Sequence, residues 1–330
     1  MSTPRSSARP VGARPAVIDI GTNAIRLLVA EAKEDGDYRV LGTGREQTRP
    51  GRGLERTGRI DPVAFENSLD ALDRLRARAA ELGATDLRVV ATAALREALN
   101  ASALLREVRE RQGMEIDVLS AAEEARLALR SAARRFELGE RSAIADIGGG
   151  STEVVLATHG TLAWAGSLPV GAVRLTERFL ASDPPTAEER RALREHVDEA
   201  LGGVPPASGG VGGQTGRPRS PLVGSGGTFT ALASLAAAGR AARGEPDRAA
   251  PVSPAELEAV LEGLAGLPLA ARREHPGLEP ERADIIVAGL EIAARLTAHL
   301  GAREIRVNGG GIRDGLLLEM LEGSRRADPA

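Results

Sequence analysis

The chain has 330 residues and a formal net charge of −3, long enough to bury the cores of two ordinary domains but without a global positive field to gather nucleic acid or an anionic membrane. It contains no cysteine, which excludes disulfides, thiolate metal sites and a cysteine nucleophile, and only 2% of its residues are aromatic, too few for base-stacking surfaces. No apolar run approaches the roughly 20 residues of a membrane span, and residues 2–15 lack the apolar stretch of a signal peptide, so the expectation is a cytoplasmic protein with no membrane or nucleic-acid partner.

Residues 1–14 are rich in Ser, Arg, Pro and Gly, with too little apolar surface to offset ordering entropy, and read as a disordered tail. Residues 17–30 follow a distinct plan: an apolar strand, Asp19, Ile20-Gly21, the small polar residues Thr22 and Asn23, then a second apolar strand. A third strand is expected over 38–42. Residues 44–60 form an Arg- and Gly-rich loop carrying Arg45, Arg49, Arg52, Arg56 and Arg59, readable either as solvated surface or as an anion-facing edge. Asp61-Pro62 starts a helix with Phe65, Leu69, Leu72 and Leu75 at helical spacing. A buried strand over 87–92, a helix over 101–111 and a strand over 116–119 follow. Arg96 comes directly after the C-terminal end of a strand, where ligands collect in open α/β sheets. Glu123 and Glu124 open the next helix, to residue 136, in a first turn that the helix dipole alone would make favourable for acids.

The hairpin plan then returns. Ala143-Ile144-Ala145-Asp146-Ile147 leads into Gly148-Gly149-Gly150-Ser151-Thr152, and Glu153-Val154-Val155-Leu156 continues with strand patterning. A dinucleotide-binding turn would open a helix at this point, so the glycines read as a hairpin loop. Its backbone N–H groups can converge on an anion, with the hydroxyl of Ser151 or Thr152 adding a donor. An aspartate at the end of each buried strand is costly unless it holds a cation. Further along, strand and turn segments over 162–167 and 170–175 lead to a helix over 176–180, and a polar helix spans 186–201. Residues 202–221 read as a flexible insertion. A strand over 222–224 feeds the turn Ser225-Gly226-Gly227-Thr228 and a helix over 229–238, another place where amides can meet phosphate oxygens. Ser253-Pro254-Ala255-Glu256 is a helix start, 284–299 an apolar helix, 304–308 a strand, and Gly309-Gly310-Gly311 turns into a helix over 312–321. Two similar runs of elements imply duplicated α/β halves presenting an Asp and a loop of donors to a shared cleft.

Taken together, the segments 19–23, 94–100, 123–127, 146–153, 224–228 and 276–278 with Arg282, and Gly311-Ile312-Arg313-Asp314-Gly315, resemble the exopolyphosphatase and guanosine pentaphosphate phosphatase family, a branch of the sugar kinase, Hsp70 and actin superfamily. They run in the family's order over about residues 16–321. The resemblance implies an α/β fold with two ribonuclease-H-like (actin-like ATPase) domains flanking a cleft: domain I from 15–124 plus 312–330, domain II from 125–311. It implies hydrolysis of a terminal phosphoryl group from inorganic polyphosphate or guanosine pentaphosphate, assisted by Mg²⁺ or Mn²⁺, by a homodimer. By position, Glu124 matches the family's catalytic glutamate. Asp19, Asp146 and Glu153 match carboxylates around the cation. Thr22, Asn23, Gly148, Gly149, Gly150 and Ser151 match the phosphate loops, and Arg96 and Arg282 match arginines that hold the phosphate chain. Ala24, Ala93, Ala121 and Ala122 replace small polar or glycine residues common in the family. No further helical domain is expected beyond residue 330, which implies a short, two-domain form. An actin-like kinase and a catalytically weak guanosine polyphosphate-binding regulator are the competing functions.

Overall fold

A computed structural model describes residues 11–205, 221–245 and 250–323; the expected disorder of residues 1–10 and flexibility of residues 206–220 lie outside the described residues. The chain divides into two compact units, one running to Ser120 and resuming at Ile312, the other spanning Ala121–Gly311.

The first unit is built on strands β1 (Pro15–Ile20), β2 (Ile25–Ala32), β3 (Tyr38–Glu46), β4 (Asp86–Ala91) and β5 (Ile116–Val118), in the sheet order β3-β2-β1-β4-β5. The β1–β2–β3 meander is antiparallel, whereas β4 and β5 add in parallel. Between β3 and β4 lie α1 (Leu54–Thr57) and α2 (Pro62–Glu81); α3 (Ala93–Glu97) and α4 (Ala101–Gln112) connect β4 to β5. Helix α2 starts where its sequence says it should. The Asp61 carboxylate accepts from Val63 N at 2.9 Å and Ala64 N at 3.3 Å, with Pro62 at the first helical position. Its apolar stripe of Leu69, Leu72 and Leu75 packs with Leu104 and Val108 on Ile18, Ile20, Ile25 and Leu27, one face of the sheet.

The second unit repeats the plan with β6 (Arg141–Ile147), β7 (Thr152–Thr158), β8 (Thr161–Leu168), β9 (Leu222–Ser225) and β10 (Ile305–Val307), ordered β8-β7-β6-β9-β10. Helix α5 (Ala121–Arg135) lays Ala125, Ala128 and Ala132 on Ile144, Val155 and Val223. On the opposite face α6 (Ala172–Phe179), α7 (Ala187–Leu201), α8 (Gly226–Ala242), α9 (Pro254–Ala265), the short α10 (Leu269–Arg273) and α11 (Ile286–Leu300) build the larger core, around Phe229, Leu193, Val197, Val287 and Leu290. Helix α12 (Ile312–Leu321) returns the chain to the first unit, where it packs on β1.

Several boundaries differ from the sequence expectation, each for a local reason. Residues 11–14 are ordered: Ala32 N donates to Ala13 O at 2.9 Å and Thr85 N to Arg14 O at 2.8 Å, which extends the pairing of β1 with β2 and with β4. Strand β3 continues past Gly42 to Glu46, because Gly42 and Gly44 give room to Leu82 and Leu75. Helix α6 starts at Ala172, with its first amides capped by loop carbonyls instead of a side chain. Helix α8 begins at Gly226, inside the expected turn. Helix α5 begins at Ala121, so the break between units falls after Ser120 rather than after Glu124; a hydrogen-bonded helix moves as one piece, and Glu124 goes with the second unit.

Candidate active site

The two hairpin turns superimpose in their chemistry. In the second unit Gly148 N donates to Ser151 O at 2.9 Å, and in the first Gly21 N donates to Ala24 O at 3.1 Å, so each turn is closed by the same bond between its first and fourth residues. The remaining carbonyls are taken from one side. Ala172 N donates to Gly148 O at 3.0 Å, Val173 N and Arg174 N to Gly149 O at 2.9 and 3.0 Å, and Arg174 Nε to Gly150 O at 2.8 Å. In the first unit Gly51 N donates to Thr22 O at 2.9 Å and Arg49 N to Asn23 O at 3.2 Å. Each turn is thereby strapped by its carbonyls, and the amides of Thr22, Asn23 and Ala24, and of Gly149, Gly150 and Ser151, donate to no protein group among the described residues. Runs of such amides form an anion-binding nest.

Both straps depend on a glycine that sequence inspection did not single out. A Cβ on Gly171 would sit 2.4 Å from Gly149 O, and one on Gly51 would sit 2.1 Å from Thr22 Cγ2. Arg174 was missed for the same reason: its role is set by what it packs against, and its neighbours in sequence give no sign of it.

Register places the acids. Asp146 is paired directly with Glu153 across β6 and β7, and both share the face of Ile144 and Val155 that α5 covers, the helix whose first turn carries the buried Glu124. Glu153 Oε1 accepts from Ser151 Oγ at 2.8 Å and Ser167 Oγ at 2.9 Å. The Ser151 hydroxyl is therefore committed to Glu153, which leaves the Ser151 amide as its donor toward an anion. Asp146 is walled by backbone. A Cβ on Gly226 (φ +87°) would lie 2.4 Å from Asp146 Oδ1, and one on Gly311 (φ +133°) 3.2 Å from Asp146 Oδ2. At the next glycine the guanidinium of Arg282 takes the space of a side chain, with Nη1 1.9 Å from a Cβ on Gly227, while its Nε donates to Glu279 at 2.7 Å. A buried arginine thus rests on the N-terminus of α8, two positive features that together favour an anion.

In the first unit Asp19 pairs with Arg26 across β1 and β2, and Arg26 in turn with Arg45 on β3. Burial pushes the Asp19 carboxyl above its usual range, opposed by the charges of Arg313 and Arg26, and its Oδ1 is sealed from solvent with no hydrogen-bond partner. Arg96, in α3 just past the end of β4, donates from Nη1 to Leu119 O at 2.8 Å, tying together the ends of β4 and β5. The Arg-rich loop divides between its two readings. Arg52, Arg56 and Arg59 are exposed, whereas Arg45 and Arg49 are half-buried and lie on the hairpin side.

Among the described residues no three carboxylate or imidazole side chains converge as a ready-made metal cage. The donors present are hard oxygens: the Asp146–Glu153 pair and the unpartnered Oδ1 of Asp19. Within its own unit, each suits a cation that takes one or two carboxylates and completes its shell with water and phosphate oxygens.

Two sheets of identical strand order, each with an aspartate at the end of its first strand and a strapped donor turn after it, define an α/β protein of the actin-like ATPase fold. The model of the Ppx/GppA phosphatase family matches residues 28–324, and the chain belongs to that family. Exopolyphosphatase 2 of Mycobacterium tuberculosis is 33% identical over 326 residues, covering 93% of this chain and 98% of its own. The crystal structure of the Aquifex aeolicus Ppx/GppA family member aligns with a TM-score of 0.76 and 28% identity over 96% of this chain and 100% of that one. An exopolyphosphatase structure from Cytophaga hutchinsonii aligns with a TM-score of 0.83 over 94% of this chain and 99% of its own; at 24% identity it speaks to fold alone.

Proposed function

We propose that the chain is an exopolyphosphatase, a phosphoanhydride hydrolase that removes the terminal phosphoryl group of inorganic polyphosphate with a divalent cation, Mg²⁺ or Mn²⁺. The observation that carries this reading is the matched pair of strapped turns, each leaving three amides without a protein acceptor. The resemblance to a named exopolyphosphatase over nearly the whole chain supports it.

In this reading the amides of Gly149, Gly150 and Ser151, following Gly148, receive phosphoryl oxygens, and Arg282 adds a charge-assisted contact beside them. The first unit contributes Thr22, Asn23 and Arg96 to phosphate binding. Asp146 and Glu153 would hold a cation in the second unit, and Asp19 offers the corresponding carboxylate in the first. When bound, the cation neutralises charge on the phosphoryl oxygens. Glu124 accepts a proton from the attacking water as the water oxygen forms its bond to phosphorus. The bridging P–O bond breaks, the electron pair leaves with the shortened chain, and inorganic phosphate is released. Phosphoryl transfer asks little more of a protein than this positioning and charge stabilisation. The same reading takes the protein as a cytoplasmic homodimer, as the family resemblance implies.

The test is a comparison of kcat/KM for phosphate release from long-chain polyphosphate, tripolyphosphate and guanosine pentaphosphate, with Mg²⁺ supplied. Polyphosphate should be the preferred substrate. A preference for guanosine pentaphosphate would transfer the activity to that substrate, and binding without release from any of the three would leave a regulator.

A further inference from the structure

The strap over the first turn carries a second feature that the phosphate-loop reading does not use. Thr48 and Asn23 are both more than nine-tenths buried, at 7% and 8% exposure, and the Thr48 hydroxyl and both ends of the Asn23 carboxamide have no hydrogen-bond partner. Because both Nδ2 and Oδ1 of Asn23 are unpartnered, the observation does not depend on which way round the amide is placed. The two residues are brought together by backbone: Arg49 N, next to Thr48, donates to Asn23 O at 3.2 Å.

Among the described residues several other buried Thr and Asn side chains find partners, although Gln112 Oε1 and Asp19 Oδ1 do not. Thr152 Oγ1 donates to Val170 O at 2.6 Å, and Thr297 Oγ1 to Ala293 O at 2.6 Å. Asn100 pairs with both backbone groups of Ile60, at 2.8 and 3.0 Å, and Asn308 donates to Ser131 Oγ at 3.0 Å. A buried polar side chain without a partner is rare in folded proteins and asks for a missing ligand. Three such atoms at one strapped turn ask for one together. The strap is also held at a backbone cost, since Arg49 occupies the left-handed region at φ +53° without being glycine.

We propose that Thr48 is a substrate-binding residue, which with the Asn23 carboxamide anchors one phosphoryl group of the substrate from the strap side of the first turn. The chemistry selects the ligand class. The Thr48 hydroxyl and Asn23 Nδ2 are unpartnered donors on the turn and its strap, at the turn whose Thr22, Asn23 and Ala24 amides also have no protein acceptor, and a phosphoryl group, with several accepting oxygens and no donor of its own when ionised, is the ligand that such a set of donors suits. Asn23 Oδ1 is left to accept from a water on that group. This anchor rests on the polyphosphate reading for its ligand, but not on hydrolysis. Its consequence is for binding: the group sets affinity for the phosphate chain and takes no part in proton transfer.

The experiment measures tripolyphosphate binding by calorimetry to the full chain carrying Glu124→Gln, with and without Thr48→Val or Thr48→Ser, in Mg²⁺ buffer, together with the melting temperature of each. Valine keeps the shape and loses the hydroxyl. Thr48→Val should weaken tripolyphosphate binding about tenfold, the effect of losing a hydrogen bond to a charged group. Its melting temperature should hold or rise, because an unpartnered hydroxyl is removed, and Thr48→Ser should bind as the parent does. Affinity within twofold of the parent in Thr48→Val would overturn the proposal. So would a lowered melting temperature at unchanged affinity, which assigns the hydroxyl to a trapped water serving the fold, and so would a parent that binds no tripolyphosphate. If binding depends on Thr48 while the chain with Glu124 intact releases no phosphate, the anchor stands and the hydrolase reading falls.

Discussion

Arg26 and Glu153 hold the same place in the two copies of one hairpin: each is the direct cross-strand partner of the hairpin aspartate, Asp19 in the first unit and Asp146 in the second. The duplication therefore keeps the aspartate and reverses the charge beside it. The pattern continues at the fourth residue of the turn. Ser151 donates its hydroxyl to Glu153, whereas Ala24, at the same place in the first turn, has none to give. The two aspartates therefore have cross-strand partners of opposite charge.

Opposite phenotypes should follow from neutralising the two. Arg26→Gln, which removes the positive charge beside Asp19, should raise KM for tripolyphosphate, with little change in the Mg²⁺ concentration giving half-maximal rate. Glu153→Gln should raise that Mg²⁺ requirement and leave KM at saturating Mg²⁺ nearly unchanged. Titrations of Mg²⁺ and substrate in both variants separate the outcomes, and a shared phenotype would contradict the division of roles.

The strap of the second turn is testable at Gly171. An added Cβ meets the backbone of Gly149 and Gly150 at 2.4–2.5 Å, and a backbone has no rotamer to yield with. Gly171→Ala should cost roughly 1–3 kcal/mol of stability by overpacking and lower kcat/KM at least about tenfold through displacement of the amides, since even small misplacement in a preorganised site is expensive. Thermal melts and phosphate release read the two effects separately.

Buried charge outside the turns has a different signature. Arg190 is held between Glu291, at 2.7 Å from its Nε, and Glu262, at 2.9 Å from its Nη1, joining α7, α9 and α11. Glu291 is buried, and burial holds its carboxyl above the usual range despite Arg190. Arg190→Leu should destabilise the protein by about 3 kcal/mol, because it takes the hydrogen-bonded partner from a buried acid and leaves it only Arg194, at 3.8 Å. Adding Glu291→Leu should restore much of that loss. A double variant as unstable as the single would show that the arginine matters for packing and not for charge.

Acid stability should depend on Glu189. Its carboxylate closes the start of α7, accepting first from Thr186 N at 2.8 Å and also from Ala181 N and Ser182 N at 3.0 and 2.9 Å, which lowers its pKa from an ordinary 4.5 to about 2. A carboxylate depressed in the folded state contributes its stability above the unfolded value and loses it as the pH falls through the folded one. The wild type should lose stability between about pH 4.5 and 2 in a way that Glu189→Gln does not share. Chemical denaturation at stepped pH would measure the difference.

Much of this was legible in the chain. The two hairpins declare themselves because an aspartate and a Gly turn interrupt apolar alternation twice, and the helices at Asp61 and Ser253 because their caps are written in consecutive residues: Ser253 and Glu256 make the reciprocal bonds that the spacing predicts. What stayed hidden depends on contacts between residues far apart in sequence. Gly51 and Gly171 look like ordinary loop glycines until Thr22 and Gly149 are seen against them. The start of α6 could not be placed because its caps are the carbonyls of a turn more than twenty residues earlier. The charge reversal between Arg26 and Glu153 is visible as letters, but register is needed to show that they are counterparts.

In the proposed reaction Glu124, buried at the start of α5, drives hydrolysis of a terminal phosphoryl group. That role is tested most directly by the time course of inorganic phosphate release from long-chain polyphosphate by the intact chain and by Glu124→Gln, each with Mg²⁺ and with excess chelator. The expected result is steady release by the intact chain with Mg²⁺, loss of release with chelator, and a rate lower by about 10²–10⁴ in Glu124→Gln while tripolyphosphate still binds. Equal release by both proteins would contradict it.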